Sequence, residues 1–287
     1  MFGVGVGVRV GGQRFGSGVA PYVGLLDTYP NAAAAYSLRL LKSDYTGNAI
    51  RVRRSSDNAE QNIGFDGSGN LDTSALTSFC SGTNGFVTTW YDQSGSGVNA
   101  TQTTAVNQPQ IVSSGAILLQ NAKPTIVFSG FANSLTLSSN IYNNTTPKDT
   151  FCVFNTTDTD AVIVGGFNGG FLDSYGNGVY ISSTIKSSQI AASVGVLLNS
   201  TITPSGRYLV NSKMVSGQNE LFVDSISKAT STNNQQFQNY TNKIGGDAFG
   251  FEAFLNGNTQ EIIIYASNQD ANRTGISSNI NTYYGIY

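Results

Sequence analysis

From residue 85 onward the chain is a succession of short apolar runs, each closed by a cluster of Gly, Asn, Asp, Ser or Thr. Examples are GFVTTWY (85–91), PQIVS (109–113), PTIVFS (124–129), SLTLS (134–138), TFCVFNT (150–156) and AVIVGGF (161–167). GVYISS (178–183), IAASVGVLL (190–198), RYLVNSKMV (207–215), ELFVDSI (220–226), NKIGG (242–246) and QEIIIYA (260–266) continue the series. β-Branched and aromatic residues suit pleated strands, and Gly and Asn suit the tight turns between them. Many short strands at this spacing imply an antiparallel sandwich or jelly roll rather than a parallel α/β sheet. Within 287 residues this makes one large all-β domain, with no internal repeat and no long linker.

Helix signals are few. Residues 31–43, NAAAAYSLRLLKS, predict a helix: Asn31 caps it, four alanines favour it, and Tyr36, Leu38, Leu40 and Leu41 supply apolar contacts. Residues 72–80 predict a short second helix capped by Asp72 or Ser74, and AIRVRRSS before it reads as a strand. The last twenty residues read as a polar helix with a short tail. At the other end, residues 1–19 form a Gly/Val-rich N-terminal arm set apart from the 20–287 domain. Val4, Val6, Val8 and Val10 alternate there with Gly and Arg. Such an arm is a free tail, a strand of its own sheet, or a strand added to a neighbour's sheet edge.

Composition excludes several chemistries. Charged residues are 11% of the chain and the net charge is −2, so no basic footprint for nucleic acid exists; the run Arg51, Arg53, Arg54 is too small. The absence of histidine removes the Ser-His-Asp triad and the usual zinc ligand. Acid–base work must fall to carboxylates, and the glutamates are only Glu60, Glu220, Glu252 and Glu261. Cys80 and Cys152 lack metal-ligand spacing and are either bridged or two buried small apolar groups. GVGVGV and GSGSG sit in no strand–loop–helix nucleotide unit. Asp66, Ser68, Asn70 and Asp72 in FDGSGNLD resemble half a calcium loop without its closing glutamate, and a Gly-rich turn explains them equally well. No cofactor is otherwise called for, and no apolar run is long enough for membrane insertion.

Three stretches, residues 35–65, YDQSGSG with its surroundings (86–102), and NKIGGDAFGFEAFLNGNTQEIIIY (242–265), resemble the catalytic domain of fungal α-L-arabinofuranosidase B. That family is a concanavalin-like jelly roll. The C-terminal strand and helix are similar to those of laminin-G-like domains on phage tail and capsid proteins. The resemblance implies an acid–base aspartate in the place of Asp247, after Gly245-Gly246. It implies a glutamate nucleophile in a stretch like GVYISSTIKSS, where this chain has Thr184, Ile185 and Lys186. Gly165-Gly166 occupies the place of the family's vicinal cysteines. Retaining hydrolysis needs two carboxyl groups about 5–5.5 Å apart. The expectation is therefore a sugar groove without hydrolysis.

Candidate sugar-binding residues are Trp90, Tyr91, Asp92, Gln93, Asp173 and Asp247. Aromatic faces stack on sugar CH groups and polar tips bond hydroxyls. The alternatives are a buried structural block for 90–93 and turn or loop roles for Asp247 and Asp173. The N-terminus lacks the continuous apolar core of a secretory signal. Together with the arm and the phage-like C-terminus, this leads to the expectation of a virion structural protein: a spike, head fibre or tail-fibre module. Its expected partners are other virion proteins, bound through the arm, and a host-surface glycan for attachment. A homo-oligomer is also expected. The alternative is an active, secreted α-L-arabinofuranosidase-like glycoside hydrolase.

Overall fold

The computed structural model describes residues 22–142, 146–167, 176–191, 194–236, 239–248 and 253–287. The N-terminal arm lies outside them. The strand Asn256–Tyr265 is the spine of the first sheet. It pairs antiparallel with Ala32–Ser37 on one side and Lys148–Thr156 on the other. Gly206–Met214, Asn219–Val223 and Ile226–Ser231 follow outward from Lys148–Thr156.

The second sheet runs from Glu60–Ile63 through Ile50–Arg54, Gly85–Trp90, Ala100–Thr101, Leu135–Leu137 and Lys243–Ile244. It continues through Asp160–Phe167, Gly176–Ser182 and Thr184–Ala191 to Val194–Asn199. Gln110–Ser113 pairs with Gly85–Trp90 and also with Ile126–Ser129, which pairs with the spine. The hydrogen-bonded ladder therefore turns the corner between the layers and leaves fewer open edges. The fold is a jelly-roll β-sandwich, as the run pattern implies, and of the concanavalin-like kind that the resemblance implies, with three short helices among the described residues.

Alternation places the core. Ile262 and Ile264 of the spine face inward with Cys152, Phe154 and Val210 against Ile50, Val52, Val87, Val164 and Val179 of the second sheet. Ile263 and Tyr265 face the other way. With Phe151 and Val153 they pack under helix α1 (Leu25–Thr28) and helix α3 (Arg273–Tyr284), through Leu25, Leu26, Ile276, Ile280 and Tyr284. Helix α2 (Thr73–Phe79) forms where expected, with Asp72 accepting from the Ala75 N–H as its cap. The two cysteines are free and buried.

The helix expected over 31–43 is absent; Ala32–Ser37 is a buried strand. Asn31 has φ 67°, turning the chain into the sheet instead of capping a helix. Ala34 faces the main core and Ala35 the helix-covered layer, both fully buried. Small side chains fit a strand packed on both faces, and that burial outweighs the few tenths of a kcal/mol per residue by which alanine favours a helix. The run 190–198 is likewise split into Thr184–Ala191 and Val194–Asn199. ELFVDSI closes one strand at Val223 and opens the next at Ile226 through Asp224 and Ser225, with φ 49° and 62°. Two positive φ values make the primed hairpin turn that matches strand twist.

Candidate functional site

The outer face of the second sheet carries a cross-strand row. Paired residues in sequence are Arg51–Thr89, Thr89–Thr101, Thr101–Thr136, and Gly165–Gly178, with Lys243 opposite Gly165. Lys243 also pairs with Thr136. Their chain neighbours Ile50, Trp90, Ala100, Leu135, Ile244, Val164 and Val179 fill the core. By the two-residue period the row itself must face outward.

The end of the row away from Arg51 is unusually thin. Gly165 and Gly178 face each other with φ 142° and 136°, and a Cβ on Gly165 would lie 2.1 Å from the Asn177 carbonyl oxygen. Beside them the chain bends after Ile244. The Gly245 N–H bonds the Ile163 carbonyl, and Gly245 itself has φ 79° with no room for a side chain against Phe128. Two residues on stands Asp247, buried and within electrostatic reach of Lys243. Burial pulls the Lys243 ammonium below its usual range, and the Asp247 charge opposes that. The bend thus holds a buried carboxylate within electrostatic reach of the Lys243 amine, a pair able to move a proton. Asp173 lies outside the described residues.

The 90–93 block has other tasks. Trp90 is buried in the core, its ring 5.8 Å from that of Tyr36. Asp92 is buried and accepts from the Ala35, Ser94 and Val98 N–H groups and the Ser94 hydroxyl. Gln93, also buried, donates to the Ser37 and Arg39 carbonyls and accepts from the Leu41 N–H. These three bind the Ala32–Ser37 strand and the segment after it to the second sheet, so they correct the sugar-contact assignment. A strand with no room for a second partner on that side takes its missing bonds from side chains. Tyr91 alone remains partly open; its hydroxyl donates to Asn62.

Asp66 accepts from the Ser68 and Asn70 N–H groups, and Asp72 caps α2, so these oxygens serve the turn. Among the described residues no group of three or more His, Cys, Asp or Glu is placed to hold a metal ion. No described helix is long and apolar enough to cross a membrane.

Two features escaped the sequence reading. One is a groove of about 330 Å³ at the Arg51 end of the row. The other is the buried Arg39–Glu261 pair, 2.8 Å apart, beneath α3. The alternation in IRVRR and FVTTW was a signal for the first, since it shows which side chains leave the core.

Sandwich, row and bend define a jelly-roll fold with a buried carboxylate in the bend that follows the Lys243 strand. Residues 26–135 match the family model of the α-L-arabinofuranosidase B catalytic domain, well under half of the chain. A probable α-L-arabinofuranosidase B of Aspergillus terreus is 40% identical over 93 residues, 30% of this chain and 18% of that protein. An α-L-arabinofuranosidase of Hypocrea jecorina is 42% identical over 73 residues, 25% of this chain and 15% of that protein. An arabinofuranosidase solved with arabinofuranosyl-α-1,2-xylobiose has the same fold, with TM-score 0.62 and 17% identity. That match covers 87% of this chain and 62% of that one, so the chain spans less than two thirds of these relatives. A GH54 α-L-arabinofuranosidase soaked with a cyclic sulfate inhibitor aligns equally well, at TM-score 0.62 and 16% identity.

These matches overturn the virion expectation and its partners, the other virion proteins. The C-terminal strand and helix that suggested a phage module are the spine and covering helix of the sandwich itself. They also overturn the expectation of a non-enzyme, since the likeness is to glycoside hydrolases. That expectation rested on Thr184–Lys186, whose Lys186 is a buried strand residue opposite Tyr180. One substituted stretch, in the part of the chain least like the family, did not outweigh the match elsewhere.

Proposed function

We propose that this chain is a glycoside hydrolase domain that releases α-L-arabinofuranosyl groups from glycans outside the cell. The observation that carries the reading is Asp247. It is buried in the bend after Lys243–Ile244, within electrostatic reach of Lys243, in a fold shared with arabinofuranosidases. The family match over 26–135 and the 40–42% identities to arabinofuranosidases over 73–93 residues support the same substrate class. Asp247 is assigned the acid–base role: it gives its proton to the glycosidic oxygen as the bond to the anomeric carbon breaks, and regains one from the water whose oxygen becomes bonded to that carbon. Lys243 orients that carboxylate. Gly165 and Gly178 leave the sheet bare beneath the sugar.

The test is release of nitrophenol from 4-nitrophenyl α-L-arabinofuranoside. The unaltered chain hydrolyses it, and Asp247→Asn lowers kcat by about 10²–10⁴-fold, the usual worth of a positioned acid–base group. No release above a heat-inactivated control would sink the reading. Equal rates for the two proteins would remove Asp247 from it.

A further inference from the structure

We infer that the threonine-lined groove at the Arg51 end of the row is a distal subsite for the neutral backbone of a branched polysaccharide. This rests on the arabinofuranosidase reading, because it extends the same sheet face away from Asp247.

The groove of about 330 Å³ is lined by Arg51, Glu60, Thr89, Thr101, Gln102 and Thr103, among others. Three observations give it a ligand class. First, the hydroxyls of Thr89, Thr101 and Thr103 have no hydrogen-bond partner among the described residues. Each can both donate and accept, and each threonine also offers a methyl group. Sugars present the same mixture of hydroxyls and CH faces. Second, the charges cancel. The Arg51 Nε donates to Glu60 at 2.5 Å, so the groove has no net charge to attract an anion. Third, the walls are set beforehand. Gln102 donates to the Ser134 carbonyl and accepts from the Thr104 N–H, while Gln108 donates to the Gln102 carbonyl and accepts from Arg53.

The wall of the groove and the Asp247 bend meet at Ser134. Ser134, whose carbonyl holds Gln102, lies so close to Gly246 that a Cβ there would sit 3.0 Å from its Cβ. Along the row, Lys243, Thr136, Thr101, Thr89 and Arg51 are successive strand partners. Four steps of about 4.8 Å place Arg51 some 19 Å from Lys243, the reach of a short oligosaccharide. A chain whose branch is cleaved at Asp247 would lay its backbone along these threonines.

Native-gel affinity electrophoresis in arabinoxylan tests this without relying on cleavage. The unaltered chain is retarded by the neutral polymer and not by polygalacturonate. Thr101→Tyr, which fills the groove, and Thr89→Trp each weaken retardation by about tenfold, near 1.4 kcal/mol. Unchanged unfolding temperatures confirm that both variants fold. Wild-type retardation by arabinoxylan in both folded variants would overturn the subsite, as would retardation only by the anionic polymer or none at all. A chain that is retarded through these threonines yet releases no nitrophenol keeps the groove and loses the hydrolase reading. One that hydrolyses but is not retarded does the reverse.

Discussion

Asp149 shows how one residue can make stability depend on pH. It is buried at the start of Lys148–Thr156, accepting from the Asn211 amide and the Gln269 N–H. Burial, only partly offset by those bonds, pushes its carboxyl up to about 6. The folded chain therefore holds this proton to a higher pH than the unfolded chain does. The contribution is most favourable below the usual carboxylate range and is lost as pH rises from about 4 to about 6. In Asp149→Asn the fall in unfolding free energy between pH 4 and pH 7 is expected to shrink by about 2 kcal/mol. Urea titrations at the two pH values check this, and an unchanged difference would remove Asp149 as its source. Residue types alone did single out Asp247, through its Gly-Gly-Asp setting. They could not separate it from Asp92, equally acidic, because the partners that occupy Asp92 are brought to it only by the fold. Asp92 is enclosed by four donors from its own chain.

At the scale of elements, backbone approach governs what each strand tolerates. Gly165 and Gly178 pair across Asp160–Phe167 and Gly176–Ser182, where each Cβ would meet a carbonyl oxygen at 2.1–2.2 Å. Gly165→Ala is expected to cost about 2–4 kcal/mol, through steric conflict and positive φ together. Gly82→Ala, at φ 67° with nothing within 4 Å, should cost only about 1 kcal/mol. Chemical denaturation of the two variants measures the gap, and similar losses would contradict the close-approach account. Most strands were legible because alternation and turn residues are local signals. Helices α2 and α3 were legible for the same reason. Ala32–Ser37 was not, because alanine's intrinsic preference is weak and its burial between two layers is set by strands more than a hundred residues away.

For the whole molecule, the pair Arg39–Glu261 joins three parts that are distant in sequence. Arg39 follows the Ala32–Ser37 strand, Glu261 lies on the spine, and the α3 residue Tyr284 donates to the same carboxylate. The Arg39 guanidinium also lies 4.7 Å from the Tyr283 ring centre. Burial lowers the arginine's affinity for its proton, and the Glu261 carboxylate more than restores it. Glu261→Gln leaves a buried guanidinium uncompensated and should cost about 3–5 kcal/mol, whereas replacing both residues by methionine should cost far less. A double-mutant cycle in guanidinium chloride decides this. Additive losses would mean that the two residues do not act as a pair.

What the sequence determined by itself was the class of the molecule. Runs of β-branched and aromatic residues between turn formers admit little but an antiparallel sandwich, and the lack of histidine confines any acid–base chemistry to carboxylates. Tertiary structure decided which polar residues face outward together. The row from Arg51 to Lys243 draws on five strands spread over nearly two hundred residues, brought level by ladder register. It also turned an alanine run into strand and Trp90, Asp92 and Gln93 into an internal brace. Local propensity is worth tenths of a kcal/mol per residue, whereas burying a side chain or leaving a backbone group unpaired is worth one or more. Where the two disagree, packing sets the outcome.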